Sequence, residues 1–364
     1  MRSVLRRPPT LTEYETAGLQ VECNLADGHA KLRPDSVSFT PELLETLAAA
    51  SQHDLESAFL DALIRNGSVL PHRDVVFFPS ASLAIDAVAK VLAAEDRRRV
   101  ALIEPTFDSL ALLLKRAGVT MTPIGENAEE ILGAARTHDA VFLCAPNNPT
   151  GWHPDPELWA QLGRILDRHD TVLVVDRTFK FLGDPDPALD ALVENHPMVL
   201  AVEDTGKIWS TLECKVSMVV TGNKDLRESV REIGAEITLN VSPISLHLCT
   251  EVITADRGSR RIEQAIHRNA KILLPAMREL GLTGTTALSF ALVEIPAGFP
   301  GDDVAFVNEL HGHGLALLPV SKFYWSGENA DTTRVRVSLA RPESHIFRAA
   351  DILTSPAVRA ALAN

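Results

Sequence analysis

Hydrophobic and polar positions fall into repeated blocks along this 364-residue chain. Short apolar runs at Val75–Phe78, Val100–Glu104, Val119–Pro123, Val141–Ala145 and Val172–Val175 read as buried strands. Between them Ser82–Ala94, Phe107–Arg116, Ala128–Arg136 and Pro156–Arg168 carry apolar residues at the three- and four-residue spacing of helices. Repeated strand and helix units predict an α/β fold with a mostly parallel sheet covered on both faces. Met198–Val202 (MVLAV) and Lys215–Val220 (KVSMVV) continue the strands, and residues 40–65 precede them with helical spacing behind a Thr40-Pro41-Glu42 start.

The texture then changes. Arg257–Leu280 reads as one long charged and apolar helix. SFALVEIP, GLALLPV and TRVRVSLA read as alternating strands around a helix at Asp302–His313, with a terminal helix from Ser344, which is the pattern of a small α+β unit. The first 35 residues carry too few apolar side chains to fold alone and need a surface to lie on. The expected organisation is an arm over 1–38, a large α/β domain over 39–260 and a small α+β domain over 261–364.

Composition narrows the function. A net charge of −13 provides no basic field for nucleic acid or an anionic membrane. The four cysteines, Cys23, Cys144, Cys214 and Cys249, lie far apart, which fits reduced thiols better than a zinc site or a disulfide framework, and no metal is expected. MRSVLRRPPTLTEYE has no apolar leader core, and no window reaches membrane-spanning length without charges, so a cytoplasmic protein is expected.

The chemistry gathers where the strands stop, the edge at which open α/β sheets place ligands. Pro79-Ser80-Ala81-Ser82 opens a helix with small residues, suited to an anion or phosphate. Glu104-Pro105-Thr106-Phe107-Asp108 offers an aromatic ring for stacking. Pro146-Asn147-Asn148-Pro149-Thr150-Gly151 is a polar turn, and Val175 is followed by Asp176, Thr178 and Phe179. The run Glu203-Asp204-Thr205-Gly206-Lys207, with Lys215 eight residues later, supplies a lysine able to form a Schiff base and a second cation for a phosphate. Taken singly these are a helix cap, a core ring, a turn, a salt-bridging carboxylate and a surface lysine; their recurrence at successive strand ends argues for a site. No G-x-G-x-x-G follows a strand, which argues against a nicotinamide dehydrogenase.

In this order the motifs resemble the fold-type-I pyridoxal 5′-phosphate (PLP) enzymes of the class I/II aminotransferase superfamily, over roughly residues 35–364. The resemblance implies that Lys207 carries the cofactor, Asp176 holds its ring nitrogen protonated, and Asn148 contacts its phenolic oxygen. It further implies that Phe107 stacks on the ring, that Ser80, Ala81, Ser82, Thr178 and Lys215 complete the cofactor site, and that Arg336 pairs with the substrate carboxylate. The chain departs from ordinary aminotransferases at Phe179 (usually tyrosine), Lys215 (usually arginine) and Asp204 (usually serine).

Those departures, with EDTGKIWSTLECK, EPTFD, APNNPTG and NLADGHA, are similar to PLP-dependent L-arginine oxidases and hydroxylases of guanidino-amino-acid natural-product pathways. That likeness implies that Thr12, Glu15 and Asp204 hold the guanidinium and that His29 is an acid or base. It implies L-arginine and dioxygen as substrates, 2-oxoarginine and 4-hydroxy-2-oxoarginine as products, and a homodimer. A cyclase or dehydratase of a hydroxyarginine, and an arginine aminotransferase, share the same site expectations. A cofactor-binding protein without turnover is the remaining class, and the intact set Asn148, Asp176, Lys207 and Arg336 argues against it.

Overall fold

The computed structural model describes residues 9–32, 40–68, 75–183, 185–211, 213–256 and 260–363. The arm contributes α1 (Leu11–Ala17) and a short strand, β1 (Cys23–Asn24). Sequence periodicity missed α1, although its start carries a signal: Thr10 Oγ1 accepts from Glu13 N at 3.2 Å while Thr10 N donates to the Glu13 carboxylate at 2.6 Å, a reciprocal capping box. The helix expected over 40–65 is two, α2 (Pro41–Ala49) and α3 (Gln52–Arg65), because the Ser51 hydroxyl accepts from Asp54 N and starts a new helix.

The alternating region follows as β2 (Val75–Phe78), α4 (Ala81–Ala94), β3 (Arg99–Ile103), α5 (Asp108–Arg116), β4 (Thr120–Ile124), α6 (Ala128–Thr137), β5 (Ala140–Cys144), α7 (Pro156–His169) and β6 (Val172–Asp176). Then come α8 (Pro187–Asn195), β7 (Val199–Asp204), β8 (Ser217–Val220), α9 (Lys224–Thr238) and α10 (Pro243–Ala255). These strands form one seven-stranded sheet in the order β2-β8-β7-β6-β5-β3-β4. The expected parallel arrangement holds for all but β8, which runs antiparallel to both neighbours. Its reversal follows from its connection, since the described residues of 205–216 contain no crossover helix and turn the chain back. Pro123 sits on β4, an edge strand where its missing N–H costs no ladder bond.

The long helix is α11 (Arg260–Arg278); its expected first residues, 257–259, lie outside the described part. Beyond it are β9 (Thr283–Ala287), β10 (Phe290–Glu294), α12 (Asp303–Gly312), β11 (Leu315–Ala316), β12 (Leu318–Pro319), β13 (Arg334–Ser338), α13 (Glu343–Thr354) and α14 (Pro356–Ala363). Strands β12-β13-β10-β9 form a second, antiparallel sheet. GLALLPV is therefore not one strand. Its first half pairs with β1 of the arm and its second half with β13, so the arm is bonded to the second sheet. Among the described residues no helix is long and apolar enough to cross a membrane.

One buried polar side chain fixes the chain just beyond β13. Asn269 of α11 is 1% exposed and donates to the carbonyls of Leu339 at 2.6 Å and Arg341 at 2.8 Å. Asn269→Leu, similar in size but without donors, removes both bonds, although the Leu339 carbonyl still accepts from Arg341 N at 2.9 Å, and we expect a loss of about 1–3 kcal/mol in urea unfolding. A loss below about 0.5 kcal/mol would show that the two bonds do not hold this segment.

Candidate active site

The carboxyl ends of the main strands open on a cavity of about 250 Å³. Alternation along β7 sorts its last two residues: Asp204 lines the cavity, while Glu203 pairs with Arg177 at 3.3 Å and Lys180 at 3.0 Å. The loop that follows is pinched at its base, where Thr205 N donates to Val216 O at 3.1 Å and Val216 N to the Thr205 hydroxyl at 3.0 Å. Lys207 and Lys215 lie within this pinched loop and both reach the cavity. Gly206 allows the close approach, because a Cβ there would meet Lys215 Cγ and Cδ at 2.9 Å.

Both lysines converge on His29. Lys215 Nζ lies 2.8 Å and Lys207 Nζ 3.5 Å from His29 Nε2, and His29 Nδ1 is 2.7 Å from Asp27. Two ammonium donors at Nε2 require a lone pair there, so Nδ1 carries the proton donated to Asp27. Burial, then the charge of Lys207, push the imidazole below its ordinary value against the opposing pull of Asp27. Burial works to raise the Asp27 carboxyl, yet the hydrogen bond from His29 and nearby positive charge, Arg341 included, hold it far below the usual range. Lys31 pairs with Asp27 at 2.7 Å and with Glu213 at 3.4 Å, and Lys215 pairs with Glu213 at 3.2 Å. Asp27, His29 and Glu213 bring ligand-capable atoms within 4.8 Å of one another, and these lysines already pair with the two carboxylates.

Asp176 ends β6 inside the cavity wall. Its carboxylate accepts from Thr178 N at 2.9 Å and from the Thr178 hydroxyl, and burial raises its pKa despite those bonds. Ser80 caps α4 through Leu83 N at 3.4 Å, and the next amide, Ala81 N, donates to Asp204 at 3.2 Å. Ala81 N thus meets an anionic oxygen at the amino end of a 14-residue helix. Ser82 and Thr178 also line the cavity. Gly206 N donates to the other Asp204 oxygen at 2.6 Å, leaving further acceptor sites on that carboxylate.

The polar turn after β5 is built on a residue the sequence did not reveal. Half-buried Glu126 accepts from Asn147 Nδ2 at 2.7 Å and from the Thr150 hydroxyl, clamping the turn on both sides of Asn148. Gly151 closes it at φ 75°, a conformation that favours glycine. Asn148 Oδ1 accepts from Arg336 Nη1 at 3.1 Å. Arg336 itself stands behind the cavity wall at 1% exposure, bonded to the Ala26 carbonyl and 3.6 Å from Glu15. Burial lowers its pKa to about 10, with Glu15 and Asp27 opposing. A Cβ placed on Gly28 would lie 3.5 Å from both Arg336 Nη1 and Lys207 Nζ, so the two cations face the same spot.

The arm supplies the remaining wall. Thr12 and Glu15 of α1 line the cavity together with Asp204 and Lys207, and Phe107, the residue before α5, lines it while packing against the cluster that holds Leu11. Arg341, 2% exposed, holds residues 24–29 by donating to the carbonyls of Asn24 at 2.9 Å, His29 at 2.6 Å and Asp27. Nothing in its local sequence marks this role, because all three acceptors lie more than 300 residues away.

A family model described as aminotransferase class I and II matches residues 35–353. The chain belongs to this family. Members depend on pyridoxal 5′-phosphate. An aspartate/prephenate aminotransferase of Thermus thermophilus is 23% identical over 341 residues, covering 89% of this chain and 83% of that protein. An aromatic amino acid aminotransferase of Cutibacterium acnes is 26% identical over 145 residues, so the match spans only 40% of that relative's length and 37% of this chain. Among solved structures, MppP soaked with the product 2-ketoarginine superposes with a TM-score of 0.78 at 26% identity, covering 94% of this chain and all of that one. Thermus thermophilus aspartate aminotransferase with maleate superposes at 0.74 with 20% identity, covering 95% and 96%, and speaks to the fold alone.

The residues present fit PLP. Asp176 is a half-buried carboxylate on the cavity wall whose desolvation a cationic partner would offset, Ala81 N is an amide already turned to a carboxylate oxygen, and Lys207 has no carboxylate within ion-pair distance among the described residues.

The low Asp27 pKa sets a pH window. Its ionised form is favoured in the fold, so the stability it contributes is present above the ordinary aspartate value near 4 and is lost as pH falls below it. Asp27→Asn is expected to cost about 1.5–3 kcal/mol at pH 7 and progressively less as pH drops through about 4. Denaturation at several pH values checks this; a cost independent of pH would refute the assignment. In ¹⁵N spectra at pH 7 the His29 ring should be neutral with its proton on Nδ1.

Proposed function

We propose that this protein is a PLP-dependent enzyme that oxidises L-arginine with dioxygen, giving 2-oxoarginine or, after a second oxidation and addition of water, 4-hydroxy-2-oxoarginine. The observation carrying the reading is Glu15 on α1, a carboxylate facing the cavity and 3.6 Å from Arg336. The likeness at 26% identity to MppP, whose stated product is 2-ketoarginine, supports it.

In this reading PLP, when bound, supplies an electron sink for bonds at the substrate Cα. Lys207 would hold it covalently, Asp176 its ring nitrogen and Asn148 its phenolic oxygen. Phe107 would lie against the ring, and Ser80, Ala81, Ser82, Thr178 and Lys215 would complete the cofactor site. Arg336 binds the substrate carboxylate as a fork, exchanging its contacts with Asn148 and Ala26. Thr12, Glu15 and Asp204 hold the guanidinium, which stays charged and offers five donors. Lys207 Nζ takes the Cα proton. His29, neutral and oriented by Asp27, accepts or returns a proton at Nε2 during water addition at Cγ. The arm excludes bulk water. Arginine, dioxygen and water then balance 2-oxoarginine, ammonia and hydrogen peroxide. We take the working form to be a homodimer.

An arginine aminotransferase is the second reading, favoured by the activities named for the curated relatives. A cyclase or dehydratase of a hydroxyarginine uses the same clamp. Mixing the cofactor-loaded protein with L-arginine in an oxygen electrode separates them. Dioxygen uptake with peroxide is the expected result. Turnover that requires an oxo-acid acceptor would move the assignment to transamination, and anaerobic turnover of 4-hydroxyarginine alone would move it to cyclisation. No change in cofactor absorbance with either amino acid would end all three.

Two variants divide the roles. Lys207→Ala should remove the yellow absorbance of bound cofactor and all turnover. Glu15→Ala should leave that absorbance and raise the arginine KM by about 30-fold, on the order of 2 kcal/mol. An unchanged KM would remove Glu15 from the guanidinium site.

A further inference from the structure

Hydrogen bonds at two points join the arm to the turn that carries Lys207. At one end Ala30 N donates to Gly206 O at 3.1 Å. At the other stands half-buried Ser210, three residues past the lysine, whose hydroxyl accepts from Leu32 N at 2.7 Å and donates to Ala30 O at 2.9 Å. A hydroxyl can fill both roles at once, and an alanine can fill neither. The turn itself is well held. Thr205 O accepts from Ile208 N at 3.2 Å and from Trp209 N at 3.0 Å, and the Ile208 and Trp209 side chains are buried. Residues 30–32 are therefore laid along the lysine turn from Gly206 to Ser210, and His29 is the residue immediately before them.

The contacts that orient the imidazole are different ones. Asp27 turns the ring through Nδ1, and Arg341 holds the His29 carbonyl at 2.6 Å. Asp27 lies in the arm itself and Arg341 follows β13, so neither fixes the ring against Lys207. We propose that Ser210 is a positioning residue for His29: its hydroxyl registers the arm on the lysine turn and so sets Nε2 against Lys207 and Lys215, where the proton for water addition at Cγ is handled. The chemical role rests on the function given above; the placement of the ring does not. Without the hydroxyl, Leu32 N and Ala30 O lose this partner, while Ala30 N to Gly206 O, Lys31 N to Ala340 O and the Arg341 bond remain. The arm stays docked and loses its register on the turn. The ring faces Asp27 on one nitrogen and the two lysines on the other, with Lys31 and Glu213 beyond them. After burial, the charge of Lys207 is the chief cause that lowers the imidazole, so a ring moved away from that charge titrates at higher pH.

The test uses Ser210→Ala in the full-length protein. Before cofactor is added, the pH at which His29 titrates in ¹⁵N spectra should rise relative to the parent. In the cofactor-loaded enzyme given L-arginine and dioxygen, the ratio of 4-hydroxy-2-oxoarginine to 2-oxoarginine should fall by about threefold or more. A merely structural loss lowers the amount of working enzyme and leaves that ratio alone. Ser210→Thr, which keeps the hydroxyl, should restore both the titration and the ratio. An unchanged or lowered titration in the alanine variant, an unchanged ratio, or a threonine variant that behaves as alanine does overturns the proposal. Ser210→Cys, similar in shape and a far weaker donor and acceptor, serves if the alanine variant fails to fold. A parent protein that takes up no dioxygen with arginine ends the arginine reading, and one that forms 2-oxoarginine alone ends the role in water addition; in both cases the titration still decides whether Ser210 places the ring. If the parent forms both products and the variant keeps its titration and ratio, only the role of Ser210 fails.

Discussion

A guanidinium buried to 1% exposure is the constraint on which the rest of this site depends. Removing such a charge from water costs several kcal/mol unless its donors are met; Arg336 Nη1 and Nη2 find partners in distant parts of the chain, while its buried Nε has no hydrogen-bond partner among the described residues. The turn after β5 gives Asn148 Oδ1, the arm gives the Ala26 carbonyl and the Glu15 carboxylate, and Phe290 and Phe323 lie 5.1 and 5.5 Å from the guanidinium carbon. A shift of Asn148 or of the Ala26 carbonyl alone would leave a further buried guanidinium N–H unpaired. The main sheet, the second sheet and the arm are therefore registered against one another at the point where the two cations, Arg336 and Lys207, look onto Gly28.

The same logic explains why the arm is part of the site. Residues 23–32 are held to the body by main-chain bonds: Cys23 N to Gly314 O, Leu25 N to Ala316 O, Ala30 N to Gly206 O and Lys31 N to Ala340 O. Arg341 adds its fork to the carbonyls between them. That stretch is fixed, and it delivers Asp27 and His29 to the lysines. Helix α1 is attached by the Leu11 cluster, by the Asp108 carboxylate at Leu11 N, and by Glu15, which accepts from Gly28 N at 3.3 Å and lies 3.6 Å from Arg336; Thr12 and Glu15 line the cavity from this helix.

The strand ends were legible in the sequence because strands buried on both faces read as plain apolar runs, so the first polar residue after each run marks the carboxyl edge. Asp176 is itself such a residue, and Asn148, Asp204 and Lys207 follow one within a few positions; all four line the cavity. Helix α9 was not legible for the opposite reason: only Leu226, Val230 and Gly234 of its fifteen residues are buried, too narrow a stripe to stand out. Glu126 and Arg341 escaped because their roles depend on partners 21 and more than 300 residues away, and a local pattern carries no trace of such pairings. Arg336 was found by motif, yet its place behind the wall follows from desolvation, which the motif does not encode.

Phe179 brings these threads together. Ordinary members of the superfamily usually carry a tyrosine there, and this chain has a ring 4% exposed whose edge meets Phe290 at 5.7 Å and 87°. Phe290 in turn lies under the Arg336 guanidinium, so Phe179, edge-on to Phe290, and Arg336 over its face form one contiguous column at the cavity wall. A tyrosine hydroxyl in this column would need a polar partner, and the nearby polar groups are committed: Asn148 to Arg336 and Thr178 to Asp176. Loss of the hydroxyl thus leaves Asn148 as the polar group expected at the cofactor's phenolic oxygen. The departure from the common pattern is consistent with the packing that keeps the buried arginine in place, and it follows from the same constraint as the rest of the site.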